Sequence, residues 1–364
     1  MRFGTRVVAI TSLLLLASFG TLAAVTLSDL HDSLRQQQAV ALRTVSLTLR
    51  STIDRNSATA LAMANMMALQ PGNVTAVAQG DRAPLIERMA PVYDYLSKQS
   101  GVDLLQFQTA DMKTLVRLHE PARFGDDVSQ TRPMVVAANH SHRGQNGLEI
   151  GSLGLSLRGV APMMQGDKLV GTAEVGLALS PLIGAVKTRT GAEVAVMLSA
   201  TMTGGPQRDR KLYGDLIIRE TTDNALFARI LDATPLQLAR EDVFTDATVD
   251  GVTWGVVAIP MLDFSGRMIV GFIAIQNFSA LQARYKRQIW QLLSIALGCG
   301  LVCSSVLAIA MRAFVDRPLA SLADWLEGLA KGEPASPAPS GGAADTERLG
   351  KAAMALAAGK EASR

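Results

Sequence analysis

The chain has 364 residues, 48% of them hydrophobic, and a mean hydropathy of +0.22, which is too apolar for an ordinary soluble protein and too polar for a multi-span transporter. Its net charge of +3 leaves no electrostatic footprint for nucleic acid. What remains is a membrane-tethered protein with a large water-facing part, long enough for two domains.

Arg2 and Arg6 precede an uncharged run over residues 7–27, long enough to cross a hydrocarbon layer of about 30 Å. A cleaved signal peptide is the competing reading, with Leu22-Ala23-Ala24 as a poor cleavage context. The helical pattern continues past the run without a break, so an uncleaved anchor is expected. The two arginines place residues 1–6 in the cytoplasm.

One long helix is predicted over 28–70, with Leu42, Val45, Leu49, Ile53, Ala60, Met63 and Met67 forming an apolar stripe near heptad spacing. Such a stripe serves a core, and on a helix rising from a membrane span it also suits a homodimer contact. Pro71-Gly72 is expected to stop it. A second helix is predicted over 83–98.

Strands follow at 102–109 and 113–119, joined as a hairpin through Ala110-Asp111-Met112. Residues 130–140 read as a helix with Pro133 in its first turn. A second hairpin joins 153–163 to 168–179 through Gln165-Gly166-Asp167. Residues 193–198 and 215–220 are further strand candidates, and 224–231 a helix.

A weak internal repeat organises these elements. Arg158-Gly159-Val160-Ala161-Pro162-Met163 leads through a Gly-Asp turn to Val170-Gly171. About one hundred residues on, Trp254-Gly255-Val256-Val257-Ala258-Ile259-Pro260-Met261 leads through Asp263-Phe264-Ser265-Gly266 to Val270-Gly271. Two copies of one antiparallel unit, each with helices packed on its sheet, make an α+β protein rather than a doubly wound one.

Residues 289–311 form the second uncharged run. Basic residues flank it on both sides, so orientation follows the first span, with 28–288 outside and 312–364 inside. Cys299 and Cys303 lie within this run. They read as small packing residues, cannot staple an exported domain, and match no zinc spacing.

Arg117-Leu118-His119-Glu120-Pro121, Phe124-Gly125-Asp126-Asp127-Val128-Ser129 and Arg132 precede Gly147-Leu148-Glu149 and Arg158-Gly159-Val160-Ala161-Pro162. This set resembles the double Cache sensor domains of bacterial methyl-accepting chemotaxis receptors. The resemblance implies two stacked PAS-like modules on a long N-terminal helix, a distal one near 83–180 and a proximal one near 181–280. It places the ligand in the distal module and the protein in the bacterial inner membrane, with a periplasmic sensor. The aromatic positions of the amino-acid-binding Cache motif have no counterpart here.

Arg317-Pro318-Leu319 with Leu322, Leu326 and Leu329, then a Pro/Ser-rich connector over 334–344, then Asp345-Thr346-Glu347-Arg348-Leu349-Gly350 resemble a HAMP relay, a parallel two-helix bundle. A solvated helix with a disordered tail is the alternative. No methyl-accepting, kinase or cyclase module follows the relay, so either a separate cytoplasmic signalling protein is the partner that carries the output, or the gene is shortened.

Polar residues gather in the first module. Arg117 and His119, two apart on one predicted strand, share a side and suit a small anionic ligand, Arg through its planar fork and His as a further donor. Arg132, Glu149 and Arg158 complete the candidate site, with Asp126, Asp127, Asn139 and Glu174 nearby. Structural roles compete: Asp126 and Asp127 as caps of the 130–140 helix or partners of Arg132, and Arg158 with Glu149 as a cross-strand pair. His140 and His142 with His119 are too loosely placed, among arginines, for a metal.

No nucleophile elbow, phosphate loop or dinucleotide fingerprint occurs, so neither an enzyme nor a cofactor is expected. The leading expectation is a ligand-gated transmembrane sensor. The alternative is a non-catalytic regulatory or scaffold subunit that associates with full-length receptors or a sensor kinase.

Overall fold

A single 66-residue helix, α1 (Phe3–Ala68), opens the chain. The computed structural model describes residues 3–151, 154–199, 211–214, 216–234 and 239–331, with positions 348, 351, 352 and 355. These fall into two compact units, Gln36–Ala280 and the paired segments Met1–Arg35 and Leu281–Arg364.

Within Gln36–Ala280, α1 shows its apolar stripe to a core. Leu42, Val45, Leu49, Ile53, Ala60 and Met67 are buried. The helix stops two residues short of expectation, at Ala68. Pro71 does not merely end it. Its ring occupies the first turn of α2 (Pro71–Gln79), where a missing N–H leaves no bond unmade. α3 (Arg82–Ser100) follows and ends on Gly101, whose left-handed φ of 67° lets its N–H cap the Leu96 carbonyl.

The first sheet contains β1 (Val102–Thr109), β2 (Thr114–Arg117), β3 (Gln145–Gly151), β4 (Gly154–Gln165) and β5 (Lys168–Leu177). The spatial order is β2-β1-β5-β4-β3, all antiparallel. α4 (Pro133–Ser141) crosses between β2 and β3 and begins at Pro133, three residues later than predicted, because its proline again fits only the first turn. β2 ends at Arg117, so the predicted strand 113–119 is too long.

α5 (Leu179–Thr190), which sequence reading missed, leads to the second sheet. This contains β6 (Glu193–Ser199), β7 (Leu212–Tyr213), β8 (Leu216–Thr221), β9 (Val243–Val249), β10 (Val252–Leu262) and β11 (Met268–Asn277), in the order β7-β8-β6-β11-β10-β9. α6 (Asn224–Ala233) covers one face through Leu226, Phe227 and Ile230, and starts on an Asp223 side chain that accepts from Leu226 N at 3.0 Å.

The two sheets repeat one topology. β1, β5, β4 and β3 correspond to β6, β11, β10 and β9, and the hairpins β4–β5 and β10–β11 are the repeated segments. In the first sheet Leu105, Phe107, Ala161 and Val175 point to one side and pack under the helices. A Cβ on Gly159 of β4 would stand 2.1 Å from Leu61 N and 2.3 Å from Ala60 C. The α1 backbone therefore rests directly on β4, and only glycine allows that approach.

In the other unit, α7 (Ser279–Met311) continues through a π-helical turn, Arg312–Asp316, into α8 (Arg317–Ala330). Two helical stretches, Arg6–Ala68 and Ser279–Gly328, are long and apolar enough to cross a membrane, with mean hydropathies of 2.1 and 2.3 over their most apolar windows. The hydroxyls of Ser33 and Tyr285 lie 3.4 Å apart, and a Cβ on Gly300 would stand 2.8 Å from Leu16 Cδ2, so α1 and α7 touch at two levels. The connector over 334–344 and nearly all of the second relay helix predicted after it lie outside the described residues.

Candidate ligand-binding site

Alternation along the strands of the first sheet sends every second side chain to the face opposite α1. The register aligns Glu149 with Ser156, Arg158 with Gly176, Val160 with Glu174, and Glu174 in turn with Gln106. Gln106 then faces Arg117 on β2. This face is therefore charged and amide-rich. α4 covers it by packing Met134, Val135 and Ala138 on Val160.

Glu174 is the hub, with no exposed surface. It accepts from Arg132, from Arg158 Nη1 at 2.6 Å, from Gln106 Nε2 at 2.5 Å and from Gln108 Nε2 at 2.8 Å. Burial pushes its carboxyl up, and the Arg132 and Arg158 guanidiniums outweigh that, holding it at about 2. Arg132 also donates to Glu149 at 2.8 Å, and Glu149 accepts from Met134 N at 2.8 Å. Glu149 thereby ties the first turn of α4 to the buried arginine beneath it. Arg158 is wholly buried, and burial together with Arg132 weakens its hold on a proton.

Several sequence expectations need correction. Arg117 and His119 do not share a strand, since His119 lies beyond the end of β2. Both oxygens of Asp126 accept from Arg117 at 2.6 Å, so the Arg117 fork is already filled. Asp126 and Asp127 neither cap α4 nor pair with Arg132; Asp127 accepts from Ser129 N at 2.8 Å. Arg158 pairs with Glu174 rather than with Glu149. Asn139 donates to the Ala110 carbonyl at 3.0 Å. Arg132, Glu149 and Arg158 do converge, together with Glu174. Gln106, Gln108 and Thr172 belong to the same cluster and were missed, because isolated amides on a strand carry no sequence signal until register aligns them.

His119 sits beside this cluster with both ring nitrogens buried and unpartnered. Burial, and next the Arg117 charge, pull its pKa down to about 4. No cluster of three potential metal ligands occurs among the described residues.

The cover is also held from below. Asp263 is buried at the β10–β11 turn and accepts from Ser265 Oγ and Arg267 N. This fixed turn presents Phe264 against the Val128, Met134 and Val135 group under α4, while Phe264 N donates to the Leu148 carbonyl at 2.8 Å. The second sheet thus touches the cover of the first.

A family model described as the double sensory domain of two-component sensor kinases matches residues 35–279. The chain belongs to this double Cache family. No curated protein matches it. Among solved structures, the double Cache region is similar to the sensory domain of the Campylobacter jejuni chemoreceptor Tlp3 with isoleucine bound, at 13% identity, covering 70% of this chain and 96% of that one, with a TM-score of 0.41. The sensor domain of the Vibrio cholerae histidine kinase DctB matches at 8% identity, covering 68% and 98%, with a TM-score of 0.42. The periplasmic domain of Vibrio cholerae LuxQ matches at 13%, covering 64% and 98%, with a TM-score of 0.40.

Proposed function

We propose that this double Cache protein is a non-catalytic transmembrane receptor of the inner membrane, chemoreceptor-like, whose first sheet binds a small extracytoplasmic ligand beneath α4. A comparison internal to the chain carries this reading. Pro162 and Pro260 align the two hairpins, so the places of Arg158 and Glu174 correspond to those of Val256 and Ile273, and those of Gln106 and Gln108 to Ala195 and Met197. All four second-sheet residues are fully buried. The same architecture thus fills these positions with apolar side chains. Buried ion pairs are often neutral or unfavourable for stability relative to such packing. The charged set in the first sheet is explained by recognition rather than by folding.

Transmission follows the chain. Glu149 links Arg132 to the first turn of α4, α4 rests on Phe264, and β11 leads from the Phe264 turn to Asn277, two residues before Ser279 begins α7. A ligand that rearranges Arg132 and Glu149 shifts α4, the turn and then the membrane helix. Only its differential affinity for the two arrangements drives the shift. α8 acts as the first helix of a HAMP-type relay in a homodimer and passes the change to a cytoplasmic signalling protein.

The test is a thermal-shift screen of the full chain in nanodiscs against acids, amines, sugars and amino acids, alongside a phosphatase reporter fused after Ser199. A stabilising compound whose effect is lost in Arg158→Ala, with the reporter active outside the cytoplasm, is expected. Silence across all classes, or a cytoplasmic reporter, refutes the receptor reading.

A further inference from the structure

The buried cluster has its hub carboxylates filled and some of its donors idle. Both oxygens of Glu174 and both of Glu149 accept hydrogen bonds. Arg158, by contrast, donates only through Nη1, and its Nε and Nη2 are buried without a partner. Those two N–H groups lie on one edge of the guanidinium, the fork that fits a planar carboxylate. The register places Leu104, Gly176 and Arg158 in one row across the sheet, and over Gly176 stand Asp103 Oδ1 and Leu104 Cβ, 2.9 and 3.1 Å from where its Cβ would lie. Leu118 N donates to the Leu105 carbonyl, which brings His119, with both nitrogens idle, to the β2 side of that row.

Resting on the receptor reading above, we propose that the site captures a ligand carboxylate together with a proton, the carboxylate docking on the Nε–Nη2 edge of Arg158 while His119 becomes protonated beside it. The charge balance favours the second event. Arg117, Arg132 and Arg158 are matched by Asp126, Glu149 and Glu174, and burial raises the carboxyl of Asp103, a fourth acid near Arg158, toward its neutral form. His119 is neutral near pH 7. An added carboxylate leaves one uncompensated negative charge in a buried place, which is costly, and protonated His119 cancels it. A phosphate dianion brings two charges against one histidine, so the site favours a carboxylate.

The groups whose charges act on His119 are Arg117 on β2, Glu120 beyond it, Arg158 on β4 and Glu174 on β5. Asp103 on β1 is the rival proton acceptor. Its Oδ1 is buried and unpartnered, and burial raises its carboxyl, with Arg158 and Glu220 within electrostatic reach.

The experiment is calorimetric titration of the full chain in nanodiscs with propionate, benzoate, succinate, glycine, propionamide and propylamine. Runs at pH 5, 6 and 7 use buffers of differing ionisation enthalpy. At least one carboxylate is expected to bind with close to one proton taken up, tightening about tenfold for each pH unit lost between the free and bound pKa of the acceptor. His119→Gln is expected to flatten that pH profile, and Asp103→Asn to leave it. Arg158→Lys is expected to weaken carboxylates at least tenfold; if it fails to fold, the wild-type proton count and His119→Gln still decide. Binding without proton uptake, or a profile flattened by Asp103→Asn instead, overturns the inference. Binding of propionamide or propylamine alone also overturns it while leaving the receptor reading intact. Silence of all six probes overturns it as well, and the receptor reading falls only if the broad screen is silent too.

Discussion

Replacing Glu174 by Gln changes one atom and removes the charge at the centre of the first sheet. Arg132 keeps Glu149 as a partner, but Arg158 loses the carboxylate it is paired with while remaining fully buried. The new amide offers one acceptor oxygen where the carboxylate offered two. Its NH₂ must face either the two arginines or Gln106 and Gln108, all of them donors. Breaking a buried pair by removing one partner costs about 3–5 kcal/mol, and Glu174→Gln is placed near the middle of that range, at about 4 kcal/mol. At about 2–4 °C per kcal/mol for a unit of this size, about 4 kcal/mol lowers the melting temperature by roughly 8–16 °C. Circular-dichroism melting of the full chain in nanodiscs measures this. A double-mutant cycle with Arg158→Met separates the pair from its surroundings and is expected to return a coupling of about 2–3 kcal/mol. A loss under about 1 kcal/mol refutes the picture of a desolvated hub.

Gly159→Ala is expected to cost about 1–3 kcal/mol, since the new methyl meets the α1 backbone rather than a movable side chain. Gly184→Ala, in α5 with open space around it, is expected to stabilise by about 0.5–1 kcal/mol; melts that move the same way for both contradict the packing described. Phe264→Ala should loosen α4 without disturbing α6, read as faster amide exchange over 133–141 with 224–233 unchanged. His119 carries a folded pKa of about 4 against about 6.5 unfolded, so the unfolded chain binds more protons between these values and stability falls as pH drops through that window. The slope stays below about 1.4 kcal/mol per pH unit because the ring is only partly buried. His119→Gln should lose less stability than the wild type between pH 7 and 5, and equal losses refute the assignment.

Hydrophobic patterning and turn chemistry were enough to place most elements. The 28–70 stripe, the two uncharged runs, and the turns at Ala110-Asp111-Met112 and Gln165-Gly166-Asp167 are local signals, set by side-chain period and by residues that tolerate tight turns, and a linear reading finds them. The repeat around Pro162 and Pro260 was legible for the same reason, since both copies keep the same strand-turn-strand chemistry. The proline rules were legible only in part: Pro71 was expected to break a helix, and the fold uses it to start one.

Partner choice among the charges belonged to the tertiary structure. Arg117 has Asp126, Asp127 and Glu120 within ten residues, and nothing in the spacing says that Asp126 takes both of its Nη groups. Arg132 bonds Glu174 across 42 positions, and Gln106 meets Glu174 across 68. Those separations are closed by strand register, a non-local property that shifts a side chain to the opposite face with each one-residue slip. The amino-acid order therefore determined that this chain joins two helices apolar and long enough to cross a membrane to a duplicated antiparallel sheet. Only the folded sheets decided which charges meet, which donors are left open, and that Arg158 rather than Arg117 holds the unfilled fork.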